Sequence, residues 1–291
     1  MLRNIIKDFE YFKPATLLEA ISLLAQYKGR AKVLAGGTDL LIQMKQNNLT
    51  PEYLIDLKNI SELDYLKYDE EEGLKIGALV THSSILNSAM IQEKYDLLRE
   101  ASLAVGSVQT RNKGTVAGNI CNASPSADTL PVLIALEARL KLISTLGERI
   151  IKMEDFFVSP FKNILLETEL VAEIQVPNLP LHHGGSYLWL PKRTAVDETL
   201  VGVGVLIAVD DVIHKTCTRA RIGLGSVAPT PIRAKMAEEF LKGKKVEEVI
   251  FRQAAEIAAH EASPRSRAEY RREMVKVLVE RALVKALDKI K

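Results

Sequence analysis

The stretch Val33-Leu34-Ala35-Gly36-Gly37-Thr38-Asp39-Leu40-Leu41 decides the fold of this chain. An apolar run ends at two adjacent glycines and is followed by a helix-like segment, which predicts a strand, a tight turn and a helix. Glycine has no Cβ, so backbone N–H groups around Gly36 and Gly37 can converge on an anionic ligand at close range. A tight turn in a βα unit explains the same pattern without a ligand, and these residues by themselves leave both interpretations open.

The residues around this turn have different expected roles. Thr38 adds a hydroxyl donor. The Asp39 carboxylate would repel a phosphate, so we expect it to turn away and to serve the backbone or to cap the segment from Leu40 to Lys45. A β-branched side chain in place of Gly37 is expected to occupy the space of a phosphate and to oppose a positive φ.

A second stretch, from Ser107 to Pro131, is rich in small and polar residues. We expect a long loop whose polar side chains reach a polar ligand, namely Thr115, Asn119, Asn122, Ser124 and Asp128. A long surface loop without a ligand is the alternative interpretation, with similar weight. Two donor-rich loops, each after a plausible strand, are what a long diphosphate-bridged ligand needs, so together they indicate a cofactor site.

The composition is that of a globular protein. With 291 residues, of which 47% are hydrophobic, the chain is long enough for two domains or one large one. Its 39 basic and 37 acidic side chains give a net charge of +2, and no basic block with interleaved aromatic residues indicates nucleic acid. The two cysteines are too few for a disulfide framework, and the longest apolar stretch, Leu200 to Val209, is too short for a bilayer. We therefore expect a cytoplasmic protein with no membrane span.

The order of the predicted elements indicates an α+β protein with two parts. A compact βαβ-like unit comes first, with a helix from Thr16 to Tyr27 and a strand from Tyr53 to Leu57. A strand from Ile60 to Tyr68 and a helix from Asp96 to Val105 follow. Prolines and glycines between Pro177 and Gly185 indicate a domain boundary. Beyond it we expect strands Tyr187–Leu190, Val201–Val209 and Thr216–Leu224, and then helices Ala237–Leu241, Val246–Ala262 and Ala268–Lys289.

Several catalytic and metal-binding patterns are missing from the sequence. Neither glycine stretch matches a phosphate-binding loop that ends in Lys-Ser or Lys-Thr, or the GxGxxG fingerprint, and there is no GxSxG motif. The five histidines lack metal-ligand spacing, and we expect an isolated one such as His82 to be a surface or hydrogen-bonded residue. Cys121 is expected to be a small buried residue rather than a reactive thiol. We therefore assign no catalytic residue and no metal ligand.

Longer patterns of residues carry a family resemblance. They are Phe9-x-Tyr11-x-x-Pro14-x-Thr16-Leu17-x-Glu19-Ala20, Leu34-Ala-Gly-Gly-Thr-Asp-Leu40, Gln109-x-Arg111-Asn112-x-Gly114-Thr115-x-x-Gly118-Asn119 and Gly225-Ser-Val-Ala-Pro-Thr-Pro-x-Arg233-Ala234. In this order they closely resemble the FAD-binding medium subunit of the molybdenum hydroxylases, the xanthine dehydrogenase and carbon monoxide dehydrogenase family. The resemblance covers nearly the whole chain.

The resemblance implies an α+β fold. An FAD-binding region of two subdomains, of the vanillyl-alcohol-oxidase (PCMH) type, precedes a C-terminal three-stranded antiparallel sheet with a helical bundle. The implied boundaries are 1–178 for the FAD-binding domain, with subdomains of about 1–58 and 59–178, and 182–291 for the C-terminal flavoprotein domain.

The resemblance also implies which residues bind FAD. In that family the first glycine loop and the Thr-x-x-Gly-Asn loop embrace the pyrophosphate. Carried onto this chain, the cofactor-binding residues are Val33, Leu34, Ala35, Gly36, Gly37, Thr38, Asp39, Gly114, Thr115, Val116, Ala117, Gly118, Asn119, Asn122, Asp128 and Val171. We expect Asp128 at a ribose of the cofactor and Val171 at an apolar contact.

The sequence departs from the family pattern at two positions. Ala117 stands where the family usually has the first of two glycines, a small change that still permits a close approach. Trp189 stands where the family often has a lysine, and its aromatic ring can instead stack on a ring of the cofactor.

The function implied is that of an electron-transfer flavoprotein subunit. Its implied partners are a [2Fe-2S] small subunit and a molybdopterin large subunit, with FAD passing electrons to an acceptor such as NAD. One alternative is a self-sufficient flavin oxidase of the same superfold, although its covalent members carry histidine where Thr38 stands and bring a larger substrate domain. A second alternative is a scaffold protein that has lost the cofactor, against which the intact glycines and Asn119 argue.

Overall fold

A small parallel sheet, sheet A, opens the fold. The computed structural model describes residues 6–193 and 198–290, so that residues 1 and 291, the outer limits of the predicted domains, lie outside the described residues. Sheet A has the order β1-β3-β2, with strands β1 (Glu10–Phe12), β2 (Ala31–Leu34) and β3 (Tyr53–Asp56). Helices α1 (Leu17–Gln26) and α2 (Leu40–Lys45) connect the successive strands. This is the predicted βαβ-like unit, with the two glycines directly after β2.

The start of helix α1 follows from its first residues. The Thr16 hydroxyl accepts a hydrogen bond from the Glu19 backbone N–H at 3.2 Å, and the Glu19 carboxylate accepts one from the Ala15 N–H at 2.9 Å. These bonds satisfy backbone donors that a helix N-terminus leaves unpaired. The helix buries Ala20, Ile21 and Leu24, the spacing from which the sequence predicts it.

Sheet B is antiparallel, with strands in the order β4-β5-β10-β6-β7. Its strands are β4 (Leu66–Asp69), β5 (Gly73–Gly77), β6 (Arg139–Ser144), β7 (Gly147–Lys152) and β10 (Leu170–Val176), and a small hairpin of β8 (Phe157–Ser159) and β9 (Lys162–Asn163) precedes β10. The predicted strand Ile60–Tyr68 is wrong before Leu66, where β4 begins. Two 3-10 turns, Leu57–Asn59 and Ser61–Leu63, precede β4 instead. The first of them begins where the Asp56 carboxylate accepts the Lys58 N–H.

Six helices lie between β5 and β6. They are α3 (His82–Asn87), α4 (Ala89–Lys94), α5 (Asp96–Ala104), α6 (Val108–Lys113), α7 (Val116–Asn122) and α8 (Thr129–Ala135). The prediction of one long polar loop from Ser107 to Pro131 is therefore wrong. The hydroxyls of Ser107 and Thr115 accept backbone N–H groups at 3.2 and 2.9 Å and start α6 and α7, so polar residues that suggested a loop serve as helix caps.

Sheet C forms the last third of the chain with three helices. Its antiparallel strands follow the chain order: β11 (His183–Pro191), β12 (Thr199–Val209), β13 (Cys217–Gly225) and β14 (Ile232–Arg233). The helices are α9 (Lys235–Leu241), α10 (Glu248–Glu261) and α11 (Ala268–Asp288). The prediction of a three-stranded sheet misses β14. This strand has two residues and follows a proline-rich turn, so it is too short to give a pattern in the sequence.

Helix α8 covers the face of sheet C opposite α10 and α11. Val203 and Val205 of β12 share a core with those two helices, whereas Gly204 between them faces α8, where an added Cβ would lie 3.0 Å from Val132. On β13, a Cβ on Gly223 would overlap the backbone of Pro131. Every residue of β12 is buried because both faces of the sheet are covered.

Charged groups also join the two halves of the chain. The Glu100 carboxylate of α5 accepts the Tyr187 backbone N–H at 2.8 Å and the ammonium groups of Lys285 and Lys289, also at 2.8 Å. Together with the packing of α8, these bonds hold β11 and α11 against α5. None of the helices in the described parts of the chain combines the length and the apolar character needed to cross a bilayer.

We expect Gly223→Ala to destabilise the chain strongly. The added methyl group would overlap the Pro131 carbonyl oxygen and lie 2.8 Å from its carbon, so α8 must move away from sheet C. A loss of about 3 kcal/mol in the free energy of unfolding is expected in urea denaturation. Gly243→Ala is the control, because its φ is +75° but no atom lies within 4 Å, so backbone strain of about 1 kcal/mol is its whole cost. Equal losses would contradict the close packing of α8.

Candidate functional site

A cavity of about 550 Å³ lies where sheet A meets the helices α3 to α7 and strand β10. Its lining comes from several separate parts of the chain. They include the end of α1, strand β2 and the β2–α2 turn, the starts of α3 and α7, helix α6, and the segment that leads into β10. The lining residues from the two glycine stretches are Val33, Ala35, Gly36, Gly37, Thr38, Asp39, Gly114, Thr115, Ala117, Gly118, Asn119 and Asn122.

The two glycine stretches touch each other through their backbones. A Cβ on Gly36 would overlap the Lys113 carbonyl oxygen and lie 2.9 Å from the Gly114 Cα, and a Cβ on Gly114 would lie 3.4 Å from the Thr38 hydroxyl oxygen. Side chains at Gly36 would therefore separate the two turns. The sequence prediction that both turns serve one site agrees with this contact.

Gly37 has the positive φ that the sequence predicts, +75°. Its expected contact is different, because a Cβ there would meet the Leu34 side chain at 2.9 Å and that of Leu41 at 3.1 Å. A β-branched residue would be strained and would collide with these leucines, rather than fill the cavity. The expected strain at a positive φ holds, but the expectation that such a side chain occupies the space of a phosphate is wrong, because it would meet Leu34 and Leu41 instead.

The second glycine stretch is fixed by the segment that leads into α3. The His82 N–H donates to the Gly114 carbonyl at 3.1 Å, and the Val116 N–H donates to the Val80 carbonyl at 3.0 Å. Thr115 then caps α7 by accepting the Gly118 N–H at 2.9 Å. These bonds hold the start of α7 beside the Gly36–Gly37 turn.

Asp39 does not cap helix α2, although it is the residue before it. Its Oδ1 accepts a hydrogen bond from the Asn122 side-chain amide at 3.1 Å, and burial raises the pKa of the carboxyl. The expected capping role is wrong, because this longer contact joins the first glycine stretch to the end of α7. The Asp39 carboxylate thereby helps to hold the two sides of the cavity together.

Asn119 is held in a defined orientation. Its side-chain oxygen accepts a hydrogen bond from the Thr129 hydroxyl at 2.6 Å. Because the oxygen is used in this way, the NH₂ group of the amide points to the other side and is available as a donor. The amide thus adds a neutral donor to the lining of the cavity.

Three of the sixteen predicted cofactor residues do not line the cavity. Leu34 and Val116 are buried beneath it. The Asp128 carboxylate accepts hydrogen bonds from the Tyr187 hydroxyl at 2.8 Å and the Thr199 hydroxyl at 2.7 Å, and burial raises its pKa to about 6. These bonds direct Asp128 to sheet C, and the structure does not bring it to the cavity. Val171 of β10 does line the cavity, and its contact with the cofactor stays a prediction.

Trp189 stacks on a ring of the chain itself. Its ring lies 5.5 Å from that of Tyr187, with 8° between the planes, and it does not line the cavity. Residues two apart on a strand point to the same side, which explains the pair. The sequence predicts that Trp189 can stack on a ring of the cofactor. In the structure its ring stacks on that of Tyr187.

The sequence gives no signal for a further part of the lining. Asn163 donates to the Cys121 carbonyl at 2.8 Å and so places the segment before β10 over the end of α7. This segment lies more than forty residues from α7 in the chain, so no local pattern predicts the contact. The lining residues not predicted include Lys32, Gln43, His82, Thr110, Asn163, Leu165, Leu166, Glu167, Glu169 and Leu170.

His82 differs from its expected role. Its side chain is 1% exposed and lines the cavity, and its Nδ1 has no hydrogen-bond partner. Burial and, to a smaller extent, the Arg111 charge lower the pKa of its imidazole to about 4, so the ring is neutral at physiological pH. The prediction of a surface or hydrogen-bonded histidine is therefore wrong.

The cavity fits a long ligand with an anionic centre. The side chains of Thr38 and Asn119 supply neutral donors to the lining, and the glycine contact leaves no side chain between the two turns. The described residues contain no group of three or more histidine, cysteine or carboxylate side chains that could hold a metal ion.

Two family models match the chain. Residues 7–179 match the FAD binding domain in molybdopterin dehydrogenase, and residues 187–286 match the CO dehydrogenase flavoprotein C-terminal domain. The order and extent of these matches cover nearly the whole sequence.

Characterised proteins are also similar over most of the chain. The nicotinate dehydrogenase FAD-subunit of Eubacterium barkeri is 37% identical over 82% of this chain and 81% of its own length. The carbon monoxide dehydrogenase medium chain of Hydrogenophaga pseudoflava is 33% identical over 94% of this chain and 96% of its own. A solved structure of carbon monoxide dehydrogenase from Hydrogenophaga pseudoflava superposes with a TM-score of 0.93 at 34% identity, covering 99% of this chain and 100% of the other.

We expect both thiols to be unreactive in the folded chain. Burial raises the pKa of Cys121 to about 12 and that of Cys217 to about 11, so almost no thiolate forms at pH 7.5. Alkylation by iodoacetamide, followed by mass spectrometry, should be roughly 100-fold slower than for a free thiol. The unfolded chain in guanidinium chloride is the control and should take up two labels. Cys121 is only partly buried and lines the cavity, so its rapid labelling in the folded chain would contradict the raised pKa of its thiol.

Proposed function

Because this chain belongs to the family of FAD-binding medium subunits of the molybdenum hydroxylases, we propose that it transfers electrons within such an enzyme. It is an FAD-binding oxidoreductase subunit. The proposed partners are a [2Fe-2S] small subunit that delivers electrons and a molybdopterin large subunit that oxidises the substrate, with NAD as a candidate acceptor. The observation that carries the proposal is the cavity that both glycine stretches line together.

We propose that FAD binds in this cavity with its pyrophosphate between the two glycine stretches. The contact of Gly36 with the Lys113–Gly114 backbone supports this arrangement, because it brings both turns to the same side of the cavity with no side chain between them. The proposed cofactor contacts are Val33, Ala35, Gly36, Gly37, Thr38, Asp39, Gly114, Thr115, Ala117, Gly118, Asn119, Asn122 and Val171. Leu34 and Val116 would act from the core beneath the turns.

The proposed role makes few chemical demands on the side chains. Bound FAD supplies a redox centre that exchanges electrons with one-electron and two-electron carriers. The chain itself has to bind and orient this group. The Asp39–Asn122 bond and the Thr115 cap hold the two turns together, and the side chains of Leu34 and Leu41 pack beneath Gly37. No nucleophile or general acid is needed for these tasks.

We also propose that the architecture is of the vanillyl-alcohol-oxidase type. Sheet A would form the first FAD-binding subdomain, about 1–58, and sheet B with helices α3 to α8 the second, about 59–178. Sheet C and its helices would form the C-terminal flavoprotein domain, 182–291. The separate core between sheet C and its helices supports the boundary before the C-terminal domain, whereas residues of sheet A such as Ala31 and Ile55 share one core with sheet B.

The proposed function is tested on the full chain, purified alone and together with its partner subunits. Alone, the chain should bind about one FAD, identified by its visible spectrum and mass, and should oxidise no substrate. In the complex, substrate should bleach the flavin absorbance only when the cluster-bearing subunit is present. A chain that binds no FAD would contradict the proposal, and substrate turnover by the isolated chain would indicate a self-sufficient oxidase instead.

We expect Gly36→Ala to lose FAD. The new methyl group would push the two turns apart, and hydrogen bonds weaken steeply when donors move by about 1 Å. FAD affinity should fall roughly 10-fold or more in a titration that follows flavin fluorescence. Gly147→Ala, at the first residue of β7 with no atom within 4 Å, should bind FAD as the parent does. Circular dichroism verifies folding, and unchanged affinity of a folded Gly36→Ala would contradict the proposed pyrophosphate position.

A further inference from the structure

Residues 163–170, which we call the wall segment, close one side of the cavity. The segment runs from the end of β9 to the start of β10, and between these strands it forms neither helix nor sheet. Because no helix or sheet ladder fixes its path, side-chain contacts decide where it lies. Its residues that line the cavity are Asn163, Leu165, Leu166, Glu167, Glu169 and Leu170.

Asn163 anchors the beginning of the wall segment. Its side-chain amide donates a hydrogen bond to the Cys121 carbonyl at 2.8 Å, and its side-chain oxygen accepts one from the Leu165 N–H at 3.0 Å. The Ile164 N–H donates to the Phe156 carbonyl at 3.0 Å. These bonds tie the beginning of the segment to the end of α7, which also lines the cavity.

Glu169 and Arg149 anchor the other end of the wall segment. The Arg149 guanidinium, from strand β7, donates to the two carboxylate oxygens of Glu169 at 2.7 and 2.8 Å, a paired arrangement that fixes both side chains. The carboxylate also accepts the Leu166 N–H at 2.9 Å, and the Glu169 N–H donates to the Leu166 carbonyl at 2.9 Å. Arg149 thus holds, through Glu169, the turn that contains the lining residues Leu166 and Glu167.

The two members of this ion pair differ in burial. The Glu169 side chain is 6% exposed and lines the cavity, whereas the Arg149 side chain is 41% exposed and lies outside the lining. The Arg149 guanidinium holds the pKa of the Glu169 carboxyl below its ordinary value, so the carboxylate is charged at neutral pH. A buried carboxylate that loses its partner is strongly unfavourable. Without Arg149, Glu169 would therefore turn toward water and release the Leu166 N–H.

We propose that Arg149 is a positioning residue for FAD binding, which acts through Glu169 from outside the cavity. Its two hydrogen bonds hold the wall segment in place and neutralise a carboxylate of the lining, and both effects favour an anionic ligand. The inference rests on the proposed placement of FAD in this cavity. It makes FAD affinity depend on a side chain that does not touch the cofactor.

The test titrates the flavin-free full chain with FAD and compares Arg149→Met, Glu169→Gln and the double variant. Arg149→Met loses both donors and should bind FAD roughly 10-fold more weakly than the parent. Glu169→Gln has no charge to neutralise and should stay within about threefold of the parent. Because Arg149 acts through Glu169, adding Arg149→Met to Glu169→Gln should change the affinity by less than about threefold. An equal loss on both backgrounds, or unchanged affinity of Arg149→Met, would overturn the inference.

Arg233→Met is the matched control for a purely structural role. Arg233 also donates two hydrogen bonds to one carboxylate, that of Glu238, with its Nε at 3.0 Å. The Glu238 side chain is likewise 6% exposed and accepts a backbone N–H, that of Ile222 at 3.0 Å, but neither member of this pair lines the cavity. Arg233→Met should lower the melting temperature at least as much as Arg149→Met and should bind FAD as the parent does. Equal loss of FAD in both variants would show that general stability, not position, decides the affinity.

Hydrogen exchange shows where the substitution acts. In flavin-free Arg149→Met, the amide hydrogens of the wall segment should exchange faster than in the parent, while those of α10 should exchange at the same rate. Unchanged exchange in the wall segment would contradict a positioning role. This measurement does not depend on bound FAD.

The outcomes distinguish this inference from the proposed function. If the parent binds FAD, Gly36→Ala weakens binding and Arg149→Met does not, the cavity remains the FAD site and the role of Arg149 is overturned. If the parent binds no FAD, both proposals fall.

Discussion

The site depends on one steric constraint, the direct contact between the backbones of Gly36 and Lys113–Gly114. No residue with a side chain fits at Gly36, since its Cβ would overlap a carbonyl oxygen that cannot move away without shifting α6. Two turns that touch in this way line one cavity together. Several hydrogen bonds hold these two turns in contact. They are the backbone bonds of Val80 and His82 to the second stretch, the helix cap by Thr115, and the bond from the Asn122 amide to Asp39.

A second constraint fixes the cavity relative to the C-terminal part of the chain. Helix α8 follows α7 closely and lies on the glycines of β12 and β13, so the end of the cavity wall is tied to sheet C. Asp128, directly before α8, accepts hydrogen bonds from Tyr187 and Thr199 on two strands of that sheet. The carboxylate that family resemblance assigns to a ribose thus joins the two halves of the fold. Its effect on the cavity is transmitted through α8 rather than by contact.

Local patterns in the sequence predict the elements whose signals are local. The cap at Thr16, the β-branched run of β12 and the apolar spacing of α11 each lie within one element, and each predicts the observed helix or strand. The prediction of a loop from Ser107 to Pro131 is wrong because serine and threonine are typical both of loops and of helix caps. Only the hydrogen bonds that they accept decide between the two. Of the site, the two glycine stretches are predictable from their composition. The lining by Asn163 and Glu169, and the burial of His82, depend on long-range packing that no short pattern encodes.

The charge of the cavity lining explains why the contact between the two glycine stretches is needed. Among the described residues that line the cavity, Lys32 is the only cationic side chain, whereas Asp39, Glu167 and Glu169 carry carboxyl groups, of which Glu169 is paired with Arg149 at 2.7 and 2.8 Å. Attraction between opposite charges therefore contributes little to holding a diphosphate here. In the proposed complex with FAD, recognition would therefore come from neutral donors such as the Thr38 hydroxyl and the Asn119 amide. Neutral hydrogen bonds act over about 3 Å and depend on angle. A site built from them binds an anion only while its two turns stay in contact, and this makes the glycines indispensable.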